Sequence, residues 1–257
     1  MIESPQNEKL KLVRKLRERK QRQREGLFAT EGEDLIEVGL TAGAEPRFVL
    51  IAAGSGLPAG GAEEVEPELL AATSSLGSGT RAIAVWPLQW AEQAQAPCVY
   101  LHAVADPGNV GTIVRTAAAL LGGSVVLGPD CADPFSPKAV RASMGAVFSQ
   151  PVLRAGIEAT PAPRAALVAH GGDGLDGLDG AATLCLGAER EGLPEAVLAE
   201  CESRLTIPLR EGAAESLNVA AAAAIACQQL SIATRQGGAS AAQGISSPAM
   251  SQEKPDA

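Results

Sequence analysis

The chain has 257 residues, 46% of them hydrophobic and 20% charged, ordinary globular usage for one large unit or a small one plus a medium one. No run of about 18 apolar residues occurs, so no membrane span is expected, and the start, MIESPQNEKLKLVRK, has no apolar signal-peptide core. The net charge is −9, but residues 1–30 hold nine Lys/Arg against four Glu and carry +5, leaving −14 on the other 227; a basic arm on an acidic body suits local phosphate contact.

In chain order, residues 6–25 read as one helix, with Leu12, Val13 and Leu16 at helical spacing among Arg14, Lys15, Arg17, Lys20, Arg22 and Arg24. Those cations are candidate phosphate contacts; a solvated helix face is the alternative. Gly26 is a stop signal. A second helix is expected over 33–43, a strand over 47–52 and another over 82–86, making a small α/β domain over 1–93. Ala91–Pro97 reads as a linker.

A second α/β pattern covers 97–236. Strands are expected over 98–104, 124–127, 165–169, 183–186 and 205–207. Helices are expected after Asp106, near 138–144 and from Ser216 to about Arg235. Alternating strands and helices imply a mostly parallel sheet covered on both faces. The segment GGDGLDGLDG (171–180) reads as a flexible surface loop, and 237–257 as a disordered tail. With aromatics at 3%, the core must be aliphatic and rich in Ala. The five cysteines have no metal-ligand spacing and read as reduced, mostly buried thiols of a cytoplasmic protein. No metal is expected, and structural roles are expected for His102 and His170.

Three clusters fall where open α/β sheets place ligands, at strand ends. They are DPGNVGTIVRT (106–116) with Asn109 and Arg115, GAEREG (187–192) with Glu189, and the stretch from Ile207 to Val219 with Ser216 and Asn218. Singly, each has a plainer reading: Asn109 or Ser216 as a helix cap, Arg115 as a surface charge, the glycines as a turn. No GxGxxG follows a strand, and no Walker sequence occurs, so a nucleotide-dependent doubly wound enzyme is disfavoured.

Together, in this order and separation, the clusters resemble the three motifs of the SpoU/TrmH branch of the SPOUT methyltransferases, and SPK…RASMG (136–145) resembles that family's connecting segment. Leu209 stands where the family often has Met, and Ala220 where Ser is common. Residues 4–32 are similar to the start of ribosomal-RNA-directed members. The resemblance implies a trefoil-knotted parallel-sheet domain preceded by a small L30e-like α/β domain that helps bind RNA. It implies S-adenosylmethionine as cofactor, held by Gly187, Ile207, Leu209 and Leu217. It implies 2′-O-methylation of a ribose, ribosomal RNA being favoured, by a homodimer in which Arg115 acts at the target phosphate or hydroxyl. Asn109, Glu189, Ser216 and Asn218 would hold Arg115 and the ribose in line. Transfer RNA as substrate, or a non-catalytic RNA-binding module of the same fold, are the other readings.

Overall fold

A computed structural model describes residues 1–58, 60–76, 79–210, 212 and 216–243. The first unit runs α1 (Glu8–Lys15), α2 (Arg19–Glu25), β1 (Leu27–Glu31), α3 (Glu33–Thr41), β2 (Phe48–Ala52), β3 (Glu63–Val65), α4 (Pro67–Thr73) and β4 (Ala82–Pro87). Its sheet has the order β1-β4-β2-β3, with β4 antiparallel to both neighbours and β3 parallel to β2. Side chains alternate across β4, as the pleat requires. Ile83 and Val85 pack with Leu10, Val13, Leu16 and Leu70 from the helices, while Ala82, Ala84 and Trp86 face the second unit.

The single helix expected over 6–25 is two. The chain is extended at Glu18 (φ −90°, ψ 132°), and α2 starts afresh at Arg19. Arg22 explains why this break is stable. Its Nη1 donates to the carbonyls of Leu16 and Arg17, both at 2.8 Å, which an unbroken helix would have bonded internally.

The second unit runs β5 (Cys98–Leu101), α5 (Pro107–Leu120), β6 (Val125–Leu127), α6 (Pro137–Ser143), β7 (Val152–Arg154), β8 (Arg164–Leu167), β9 (Thr183–Leu186), α7 (Glu195–Leu198), β10 (Ser203–Leu205) and α8 (Val219–Gln243). Its six strands are all parallel, in the order β10-β8-β9-β5-β6-β7. Both faces are covered: Cys98 and Tyr100 of β5 enter one apolar cluster, Val99 and Leu101 another. Helix α5 crosses α6 so closely that a side chain at Gly111 would run into the Ala139 carbonyl.

Two irregular segments differ from expectation. Residues 171–180 are tied to the edge of the sheet. The Asp173 N–H donates to the Arg204 carbonyl at 2.9 Å, the Asp173 carbonyl accepts from Thr206 N at 2.8 Å, and Leu178 is fully buried. The Gly/Asp composition hid two apolar anchors, Leu178 and the partly buried Leu175. The last helix continues to Gln243, through the first seven residues of the expected tail, and 244–257 lie outside the described residues.

The two units share one core. Phe28 meets Phe135 and Phe148 at ring-centroid distances of 5.1 and 5.5 Å, Trp86 meets Phe148 edge-on at 4.8 Å, and Trp90 meets Phe135 edge-on at 4.9 Å. Five of the seven aromatic residues thus gather at this junction, so a sparse resource is concentrated where rings give the most contact per residue. The expected linker is pinned too: Ala91 N donates to the Val152 carbonyl, and Gln95 N to Ser124 Oγ at 2.9 Å.

Candidate active site

The central strands β5 and β9 end side by side, and their C-terminal loops build the site. After β5, Asp106 caps α5 by accepting from Asn109 N at 3.0 Å, and its second oxygen accepts from Lys138 Nζ. That hydrogen-bonded ion pair, helped by the backbone N–H of Asn109, holds the Asp106 carboxyl below the usual aspartate range. Asn109 therefore is not the cap, and its amide is free to face the site.

There it joins two residues 80 and 109 positions away in sequence. Asn109 Nδ2 donates to Glu189 Oε1 at 2.6 Å, and Asn109 Oδ1 accepts from Asn218 Nδ2 at 3.1 Å. Asn218 is fixed in turn, because its Oδ1 accepts from Ala220 N at 2.9 Å and Ala221 N at 3.3 Å at the start of α8. The helix cap, the plainer reading of Ser216, is Asn218 instead. Glu189 sits on a loop that folds back on itself between Ala188 and Gly192; a side chain at Gly187 would strike the Gly192 backbone, so the turn requires glycine.

Beside this chain of three lies a cavity of ≈ 420 Å³, within the range of small-molecule sites. Gly187, Ile207, Leu209 and Leu217, all expected at the cofactor, line it, and so do Glu189 and Ser216. Sequence reasoning missed His170 and Leu193, which also line it. His170 follows β8, and its place just past a parallel strand was the available signal. Residues 211 and 213–215 of the adjoining loop lie outside the described residues.

Arg115 stands apart. It is exposed on α5 and forms no hydrogen bond or ion pair among the described residues, so the expectation that Asn109, Glu189, Ser216 and Asn218 hold it is not met within one chain.

The candidate RNA-binding cations divide. Lys15, Arg17, Lys20 and Arg24 are exposed, although Arg17 also donates to the carbonyls of Thr73 and Ser74 at 2.8 Å. Arg14 is half-buried and donates to the Pro5 carbonyl at 2.6 Å. Arg22 must be removed from the set. Its side chain is 3% exposed and forks onto Asp133 Oδ2 through Nε at 2.9 Å and Nη2 at 2.7 Å. It joins the two units and cannot reach an external phosphate.

Residues 96–228 match the family described as the SpoU rRNA Methylase family, and residues 7–84 match the MRM3-like substrate binding domain. The chain is 34% identical over 244 residues to the 23S rRNA (guanosine(2553)-2′-O)-methyltransferase RlmP of Bacillus subtilis, covering 87% of this chain and 96% of that one. It is 35% identical over 133 residues to the 23S rRNA (uridine(2479)-2′-O)-methyltransferase of Streptomyces viridochromogenes, 46% of each chain. Among solved structures, an AdoMet-bound rRNA methyltransferase from Sinorhizobium meliloti superposes with a TM-score of 0.77 at 27% identity, covering 91% of this chain and 97% of that one.

Proposed function

The chain belongs to the SpoU rRNA methylase family, and from that premise we propose that the Asn109–Glu189–Asn218 chain beside the cavity is where it methylates RNA. The protein is an S-adenosylmethionine-dependent ribose 2′-O-methyltransferase, and its substrate is ribosomal RNA. The single observation that carries the siting is that three motifs, far apart in sequence, close one hydrogen-bonded chain at the rim of the ≈ 420 Å³ cavity.

The cavity fits the cofactor. Leu209 and Leu217 offer partly exposed apolar surface to it, and Gly187 and Ile207 also line it. When bound, the sulfonium supplies an already activated methyl group. The chain's own residues must then position a ribose hydroxyl and remove its proton while the new carbon–oxygen bond forms. Asn109, held by Glu189 on one side and Asn218 on the other, has its amide direction fixed and is the positioning residue next to the cofactor. Ser216 lines the same wall. Arg115, planar and permanently charged, contacts the target phosphate or hydroxyl and favours its deprotonation.

Arg115 does this across a homodimer, in the partner's pocket. The exposed, unpaired state of Arg115 supports that reading. So does the outer face of α8, where Ala221, Ile225 and Ile232 are exposed beside α5. The trefoil knot is supported by the chain's path: from central β9 it goes out to β10 at the sheet edge, then returns as α8 onto α5. The free cysteines fit a reducing, cytoplasmic setting. Lys15, Arg17, Lys20 and Arg24 guide the RNA. The two relatives named above modify different nucleotides, a guanosine and a uridine, so the shared motifs serve the ribose and not the base.

The test is methyl transfer from labelled S-adenosylmethionine to an unmodified 23S rRNA transcript, followed by mapping of the 2′-O-methyl nucleotide. One stoichiometric site is expected. Label entering transfer RNA instead would overturn the ribosomal assignment, and label entering neither would leave a binding module.

A further inference from the structure

The C-terminal end of the second sheet continues past the active site to its edge strand β7, which closes on Arg154. The Arg154 guanidinium lies over the Trp90 ring, 5.3 Å from its centroid. Its Nε and Nη2 are buried and have no hydrogen-bond acceptor among the described residues, but the residue is only half-buried, unlike Arg22, and Nη1 is the edge through which an outside acceptor can meet the guanidinium. Such orphaned donors are costly and rare in folded proteins.

The surroundings deepen the imbalance. The nearby carboxylate is Asp133, and both of its oxygens are engaged. Oδ2 takes the fork of Arg22, and Oδ1 accepts from Phe135 N at 3.0 Å. Arg19, the exposed first residue of α2, is close enough that its charge, after burial, is the second cause pushing the Arg154 pKa down; Asp133 offsets only part of this. The packing brings the two together: Arg154 lies on Trp90, Trp90 meets Phe135 edge-on, Phe135 N donates to Asp133, and Arg22, which forks onto Asp133, stands about one turn after Arg19 on α2. Among the described residues neither Arg19 nor Arg154 forms an ion pair.

We propose that Arg19 and Arg154 form a phosphate site for the RNA backbone at the junction of the two units, setting the register of the substrate strand. A phosphodiester oxygen accepts what Arg154 cannot donate within the chain, and its charge relieves the repulsion between the two cations. Strand β7 lies two strands from β5, about 10 Å at the usual spacing. The cavity lies beyond β5, at the ends of β9 and β8, so the contact addresses a phosphate a few nucleotides from the reacting ribose. The proposal rests on the methyltransferase reading above and adds residues that neither the basic arm nor the three motifs contain.

The experiment uses the full chain and an unmodified 23S rRNA transcript. Arg19→Gln, Arg154→Gln and the double variant are compared with Arg204→Gln, an exposed arginine on β10 at the opposite edge of the sheet. The double variant is expected to raise KM for RNA about tenfold, leave kcat within about twofold, and flatten the slope of log affinity against log salt by about 0.7–0.9 per phosphate lost. S-adenosylmethionine affinity stays unchanged in calorimetry, and Arg154→Lys recovers part of the RNA affinity because it keeps the charge. An unchanged KM and salt slope in the double variant overturns the site, as does an equal loss in Arg204→Gln. Should Arg154→Gln melt early, the exposed Arg19→Gln decides: it must raise KM by about threefold with an unchanged melting temperature. If the wild type binds the transcript but never methylates it, the catalytic reading fails, while the salt slopes still decide the phosphate site.

Discussion

At the scale of single residues, the site depends on amides whose orientation is fixed by their neighbours. Glu189→Gln replaces the charged acceptor of Asn109 with an amide that can present the wrong end. We expect kcat to fall by about ten- to a hundredfold, as for loss of one charge-assisted positioning bond, with cofactor affinity preserved in calorimetry. Arg115→Ala should lower methyl transfer by about 10²-fold or more with cofactor affinity unchanged, and Arg115→Lys should rescue poorly because a point charge lacks the planar fork; near-normal turnover in Arg115→Ala would remove it from the mechanism. Asp106 gives a pH signature. Its pKa is lowered by Lys138 first and by the Asn109 N–H second. Its capping contribution is therefore present above the ordinary aspartate range, near pH 4, and is lost as pH falls through the lowered folded value. The melting-temperature gap between the wild type and Asp106→Ala should accordingly narrow on acidification, and a gap constant from pH 6 to pH 3 would contradict this. Asn109, Glu189 and Asn218 were legible because their motifs are short and local. The hydrogen-bonded chain they form was not, since it closes over 80 and 109 residues and no local pattern encodes that pairing.

At the scale of elements, periodicity located most helices and strands, and it failed where a long-range contact decides. The run of cations over 9–24 reads as one helix because every residue in it tolerates a helix. The break at Glu18 is held by Arg22, whose partner Asp133 lies 111 residues on, so nothing nearby announces it. Strand β7 has three residues, too few for alternation to show, and residues 171–180 look like a loop until Leu205 of β10 is beside them. The same contact gives a prediction. Arg22→Ala leaves Asp133 charged and buried, which typically costs about 3–5 kcal/mol. The expected readout is a lower midpoint in denaturant, and RNA affinity measured on folded protein should change little. A selective loss of RNA binding at unaltered stability would return Arg22 to the RNA surface.

At the scale of the whole molecule, the two units behave as one body because they share aromatic contacts and the Arg22–Asp133 pair. The exposed face of α8 sets the next level. Ile225→Asp with Ile232→Asp should yield monomers in sedimentation and abolish turnover while leaving the fold intact by circular dichroism. Mixing inactive Arg115→Ala with inactive Asn109→Ala should restore turnover if each pocket borrows Arg115 from its partner. Both tryptophans, Trp86 and Trp90, sit in the aromatic junction, and neither lines the cavity beside Asn109 and Glu189. Intrinsic fluorescence excited near the indole band consequently watches a single place in this protein. Its emission should stay nearly silent when S-adenosylmethionine binds and shift to the red when the two units part. In a denaturant titration it would date that separation independently of the loss of helix.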